Sequence, residues 1–98
     1  MNRRWSDRVS LGQSIILRCN GMGHINGTCR NISFGGAYVT VAPGINLHGD
    51  HPLEVMLLGK DRQYQIPARV VRTDTDGTAL VFTEYSSRTR DLLRQLLY

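Results

Sequence analysis

Six short apolar or β-branched runs, the first five each soon closed by Gly, Asn, Asp or Pro, precede one segment of helical period. This punctuation restricts the fold more than any other feature, because strands bounded by tight turns pair antiparallel with their neighbours. The first run is Ser14 to Cys19. Asn20-Gly21 follows as a hairpin signal, with Met22-Gly23 extending the loop. His24 to Ile32 reads as the second strand, with Gly27 as a bulge or bend. Ala37 to Val41 is β-branched and aromatic throughout and ends at Pro43-Gly44. After a loop over 45–52, Leu53 to Leu58 reads as a fourth strand, Tyr64 to Arg72 as a fifth and Thr78 to Thr83 as a sixth. Pro67 places the start of the fifth on an edge. The period then changes: Leu92, Leu93, Leu96 and Leu97 mark one face of a helix that Ser86 or Ser87 can cap. The expected fold is all-β dominated, a small six-stranded antiparallel β-barrel with one C-terminal α-helix covering an opening or flank. Residues 1–12 read as a flexible, Arg-rich N-terminal arm ending at Gly12, 13–85 as the barrel and 86–98 as the amphipathic helix.

A chain of 98 residues with 41% apolar content supports one domain with a single modest core. No apolar run approaches the length of a membrane span, and Met-Asn-Arg-Arg does not begin a secretory signal. The expectation is a cytoplasmic protein without membrane insertion. A hairpin turning at 20–23 sets Cys19 opposite about His24 and Cys29 opposite about Ser14, too far apart for a disulfide. Two cysteines are also too few for a structural zinc site. The net charge of +4 rests on eleven arginines and a single lysine, Lys60. Arginine is the choice where a planar fork pairs with phosphate or with the O6/N7 edge of guanine, although a GC-rich genome also enriches it.

Two stretches carry chemistry beyond what strand connections need. Arg30-Asn31-Ile32-Ser33-Phe34-Gly35-Gly36 offers a guanidinium, an amide, a hydroxyl and two glycines that permit positive φ and close approach to the main chain. Taken alone, it reads as a hairpin or bulge rich in turn residues. The amino terminus adds Arg3, Arg4 and Arg8 within six positions.

Together, Arg4-x-x-x-Arg8, a strand hairpin and Asn31-x-Ser33-x-x-Gly36 resemble the PilZ domain family in order and spacing. Ala68 to Arg72 is similar to the family's late strand and Ala79 to Phe82 to its closing one. The resemblance implies a receptor for the bacterial second messenger cyclic di-GMP, with no cofactor and no enzymatic activity. It implies that Arg4 and Arg8 hold guanine edges and phosphates, that Asn31 and Ser33 hydrogen-bond the ligand, and that Gly35 and Gly36 shape the turn. Arg3, immediately before the motif, stands where the family's choice between one ligand and a stacked pair is influenced; an arginine there points to two nucleotides per chain. Two departures are visible. Asn31 replaces the frequent Asp, so the site lacks a carboxylate acceptor, and Ala79 stands where glycine is common. A receptor domain of this size further implies an unidentified downstream protein partner.

Other readings were weighed against this one. A small basic barrel can bind single-stranded nucleic acid, but no strand interleaves basic and aromatic residues for base stacking, which makes nucleic acid an unlikely partner. A PilZ domain that binds no ligand and serves as an interaction module is disfavoured by the intact motif residues. His48-Gly49-Asp50-His51 fits a solvated loop better than a metal site. No nucleophile–base signature or phosphate loop occurs, and Trp5 is equally able to stack on a base or to pack on the barrel.

Overall fold

The computed structural model describes residues 9–19, 21, 23–45, 47, 52–58, 63–84 and 86–97. Its elements are β1 (Val9–Cys19), β2 (Gly23–Ile32), β3 (Gly36–Val41), β4 (Pro52–Leu58), β5 (Gln63–Thr73), β6 (Thr78–Phe82) and α1 (Ser87–Leu97). The strands close in the order β1-β2-β3-β6-β5-β4, every neighbouring pair antiparallel. The expected six-stranded barrel with a C-terminal helix is the observed architecture. Because β3 lies beside β6 rather than β4, the chain crosses between them over residues 42–51. Leu47 in that crossing is buried in the core, and the Thr73 hydroxyl donates to its carbonyl at 3.2 Å.

Alternation between bulges fills most of the interior. Ile15, Leu17 and Cys19 of β1 meet Leu53, Val55 and Leu57 of β4 and Ile66, Ala68 and Val70 of β5 in one cluster. Burying a side chain such as Leu17 contributes about 1.5–3 kcal/mol. Thr89, Leu92 and Leu93 are buried on α1, whose contacts run to β5. Of the two possible caps, Ser86 is the one used: its Oγ accepts from the Thr89 amide at 3.0 Å.

Pro67 shows how β5 ends its second ladder. Its carbonyl accepts from the Thr83 amide at 2.9 Å, one residue past the end of β6. The reciprocal bond would need the N–H that proline lacks, so residues 63–66 keep only β4 as a strand neighbour. The edge inferred from Pro67 is therefore present at the start of β5.

Three sequence expectations need adjustment. β1 begins at Val9 rather than Ser14, because Gly12, at φ 64°, bulges the strand instead of ending it. Of the expected arm 1–12, only residues 1–8 stay outside β1, and these lie outside the described residues. The β1–β2 hairpin closes at Cys19↔Gly23, one residue tighter than expected, and sets Gln13 opposite Cys29. Both cysteines are buried, and no disulfide joins them. Gly27 pairs regularly on both sides and is no bulge; a Cβ there would stand 2.7 Å from the Thr40 carbonyl oxygen. Glycine is needed because β3 passes so close.

The β5–β6 turn is tied to β3. Asp74 Oδ1 accepts from the Tyr38 hydroxyl at 2.6 Å and from the Asp76 and Gly77 amides at 3.0 Å. The Tyr38 hydrogen bond, then the two amides and Arg72, hold the Asp74 carboxyl below the usual range; the same bond to Asp74 raises the Tyr38 phenol. A depressed carboxyl stabilises the fold above the unfolded value, about 3.9, and that contribution is lost as pH falls through the folded value. The raised phenol contributes below its unfolded value, about 10, and loses its contribution as pH rises through the folded one. Tyr38→Phe should therefore move the Asp74 pKa upward, which an NMR titration of the side-chain carboxyl carbons reads directly.

Candidate functional site

Regular alternation would turn Asn31 into the barrel, because Cys29, two residues earlier, is completely buried. The structure avoids this with an extra residue. Cys29 pairs with Val39 and Asn31 with Tyr38, which leaves Arg30 without a partner on β3. A bulge reverses the phase of the strand. Arg30 is exposed, Asn31 half-exposed and Ile32 buried again. The Cys29 thiol donates to the Asn31 carbonyl at 3.4 Å and so spans the bulge from inside the barrel.

Beyond Ile32 the chain reverses through Ser33-Phe34-Gly35-Gly36. The Ser33 amide donates to the Gly36 carbonyl at 2.8 Å, and its hydroxyl donates to the same oxygen at 3.4 Å. That hydroxyl accepts from the Gly35 amide at 3.2 Å. Ser33 is 3% exposed, so its polar atoms hold the turn together from within. Phe34 packs against the core cluster, and the Gly35 carbonyl accepts from the Phe82 amide at 2.9 Å. The turn is thus bonded to itself and to β6.

The two glycines do not serve as positive-φ residues. Among the described residues that conformation belongs to Gly12, Gly21, Gly23 and Gly44. Gly36 is required by crowding: a Cβ would overlap the Leu80 carbonyl oxygen and stand 3.2 Å from the Val81 Cα. Its absence lets β3 and β6 approach directly beneath the turn.

The ladders place two rows of outward residues beside this turn. Asn31, Tyr38, Ala79 and Arg72 are successive partners across β2, β3, β6 and β5. Gly36, Val81 and Arg69 form the adjacent row. Val81 is 40% exposed, and Arg69 and Arg72 are exposed, with Arg72 Nε 3.6 Å from Asp74 Oδ2. Ala79 is half-buried between Tyr38 and Arg72, where its methyl group is accommodated. The β1–β2 register ends at the same place, with Ser10 opposite Asn31 and Val9 opposite Ile32. Arg3, Arg4 and Arg8 lie outside the described residues. Asn31, Ser33, Gly35 and Gly36 come together at one end of the barrel, with Asn31 outward and Ser33 inward.

A cleft of about 560 Å³ lies at the other end of the β1–β2 hairpin, lined by Arg18, His24, Glu54 and Pro67 among others, and holds none of these residues. Among the described residues no group of three or more His, Cys, Asp or Glu side chains could hold a metal ion. His48, Asp50 and His51 lie outside them. No described helix is long and apolar enough to cross a membrane.

Sequence reasoning overlooked the bulge at Arg30 and the outward row through Val81 and Arg69. The signal for the first was available: Cys29 and Ile32 are the apolar residues flanking Arg30-Asn31, three apart where alternation requires two or four.

Comparison with known proteins gives a consistent picture. The model of the PilZ domain family matches residues 2–98. The fold is similar to the crystal structure of the PilZ domain of CeSA from a cellulose-synthesizing bacterium. That comparison gives a TM-score of 0.77 at 19% identity, over 94% of this chain and 96% of that one. It is also similar to the Bacillus subtilis inhibitor of motility MotI/DgrA, with a TM-score of 0.80 at 21% identity. There the match covers 99% of this chain but 51% of the other, so this chain spans about half its length. Among curated proteins none matches the chain. Gly36→Ala should lower stability by about 1–3 kcal/mol or more, the range for overpacking, because the added methyl meets backbone. Denaturant unfolding measures the loss, and Ser33→Ala should show a smaller one of about 1 kcal/mol.

Proposed function

The chain belongs to the PilZ domain family, and we propose that it is a receptor binding cyclic di-GMP on the face around Asn31 and the turn 33–36. The observation that carries this reading is the phase reversal at Arg30, which turns Asn31 outward beside a turn that is already fully bonded. A preorganised surface of this kind costs little to order when a ligand arrives. Asn31 supplies an amide donor and acceptor to a guanine edge. Ser33 and Gly36 act by holding the turn at the height where Gly35 and its neighbours can meet the ligand backbone. Arg69 and Val81, one row away on the outer face, extend the same surface with a guanidinium and an apolar contact.

The arginines of residues 1–8 complete the site in this reading. Arg8 is bonded to Val9, which pairs with Ile32 immediately before the turn. Cyclic di-GMP carries two phosphate charges and two guanines. A guanidinium can pair bidentately with either group and can stack on a purine face. Arg4 and Arg8 take the phosphates and guanine edges, and Asp7 orients one of them. Binding neutralises the like charges and folds residues 1–8 over the nucleotide, an ordering step that a downstream protein partner can read. Arg3 adds a third fork. Two intercalated nucleotides bring four phosphate charges, whose repulsion a third arginine offsets, so the site holds a stacked pair.

Calorimetric titration with cyclic di-GMP, with a single-stranded oligonucleotide as the control, tests the assignment. The dinucleotide should bind at about two per chain, and Arg3→Leu should move the ratio toward one. Arg4→Ala or Arg8→Ala should each cost about 1.5–3 kcal/mol, the worth of a hydrogen bond to a charged group. Binding unaltered in both arginine variants would remove them from the site, and a ratio of one for the unaltered chain would end the stacked pair. Amide exchange gives a separate check, since ligand should raise protection across residues 1–8. Equal protection with and without it contradicts the ordering step.

A further inference from the structure

The stagger of β1 against β2 has a single origin. Gln13 pairs with Cys29 and Ser10 with Asn31, so β1 places two residues, Leu11 and Gly12, against the one residue Arg30. Arg30 is also the residue that has no partner on β3. At this one level of the barrel, β1 therefore holds two residues, β2 one and β3 none. Gly12 makes the longer strand possible by adopting φ 64°, a conformation that side chains other than Asn and Asp rarely take.

Packing does not explain the glycine. A Cβ on Gly12 would meet nothing within 4 Å among the described residues, and the residue is exposed. The demand is on the backbone alone, unlike Gly36, where space is the constraint. Without the bulge, the pairing Gln13↔Cys29 would continue regularly and set Leu11, not Ser10, opposite Asn31. Everything N-terminal to that point would shift by one residue, about 3.3 Å, and reverse its face relative to Asn31.

We propose that Gly12 is a positioning residue for the dinucleotide site: its left-handed backbone sets the register at which the arginine-bearing N-terminal segment meets Asn31 and the turn 33–36. This inference rests on the reading of that face as the cyclic di-GMP site. The residue touches no ligand. It selects, among two registers of the first few residues of β1, the one that sets Ser10 opposite Asn31. Because only residues 9–12 change partners in the alternative, while Gln13–Cys19 keep theirs, the change is local and leaves the barrel closed. A protein that spends part of its time in the wrong register binds more weakly by the fraction it lacks of the right one.

The test compares the unaltered chain with Gly12→Ala and Gly12→Asn. Alanine has room at this position but disfavours the backbone conformation, whereas asparagine tolerates it. Titration calorimetry with cyclic di-GMP should show affinity reduced about tenfold in Gly12→Ala, matching the steric cost of one left-handed residue, and close to unaltered in Gly12→Asn. The cross-strand NOE between the backbones of Ser10 and Asn31 should weaken in the first variant and persist in the second, and the melting temperature should change little in either. Equal affinity of the unaltered and Gly12→Ala proteins overturns the inference while leaving the site reading intact. Gly12→Asn as weak as Gly12→Ala overturns it as well. No binding by the unaltered chain overturns the reading of the face itself, and the inference with it.

Discussion

Ile16 to Cys19 pair with Met56 to Leu53, and these four pairs close the sheet into a barrel. Everything else depends on that seam. Closure removes the free strand edges that a sheet of this size would otherwise expose, and it forces alternate residues of every strand into one shared interior. Leu17 and Val55, opposite each other in the seam, are both completely buried. The crossing from β3 to β4 contributes Leu47 to the same interior, and α1 adds Leu92 and Leu93. A small chain obtains a contiguous core in this way.

Departures from the regular lattice cluster near the site. Arg30 is extra on β2 relative to β3, β1 sets the two residues Leu11 and Gly12 against it, and Val71 is extra on β5, where it is 58% exposed. Bulges re-aim side chains at the expense of ladder hydrogen bonds, which is why they concentrate where a surface has work to do. At Arg30 the lost regularity is partly compensated by the Cys29 thiol, which reaches the Asn31 carbonyl from the dry side. The turn that follows is held by Ser33 on itself and by Phe82 on β6. Its conformation is therefore set by the barrel before any ligand is met.

Charge follows the same division between inside and outside. The described arginines are exposed, and Asp74 answers one of them while serving as the acceptor for the turn that carries it. Tyr38 links that turn to the row of Asn31, so the β5–β6 turn and the outer face of β2 share one strand of support. Gly77 permits this by letting the Tyr38 ring lie against its Cα, where a Cβ would come within 3.0 Å of two ring carbons.

Local rules read from the sequence alone determined much of this protein. Turn residues and apolar periodicity specified six strands, antiparallel pairing across the tight turns and a helix with its leucine face, because each depends on residues a few positions apart. Pro67 disclosed an edge for the same reason, since a missing N–H is a property of the residue itself. The grouping of Asn31, Ser33 and Gly36 was also legible, as a motif of fixed spacing. What only the tertiary structure decided were the facings and the purposes. Asn31 points outward because β3 supplies no partner for Arg30, and Ser33 is buried because β6 and the core close over the turn. Gly27, Gly36 and Gly12 are indistinguishable as letters. The first two are required by backbones passing close by, from residues distant in the chain, and the third by a left-handed angle at a register shift. Such demands come from strands that meet only after the barrel has closed, and no local pattern of side chains records them.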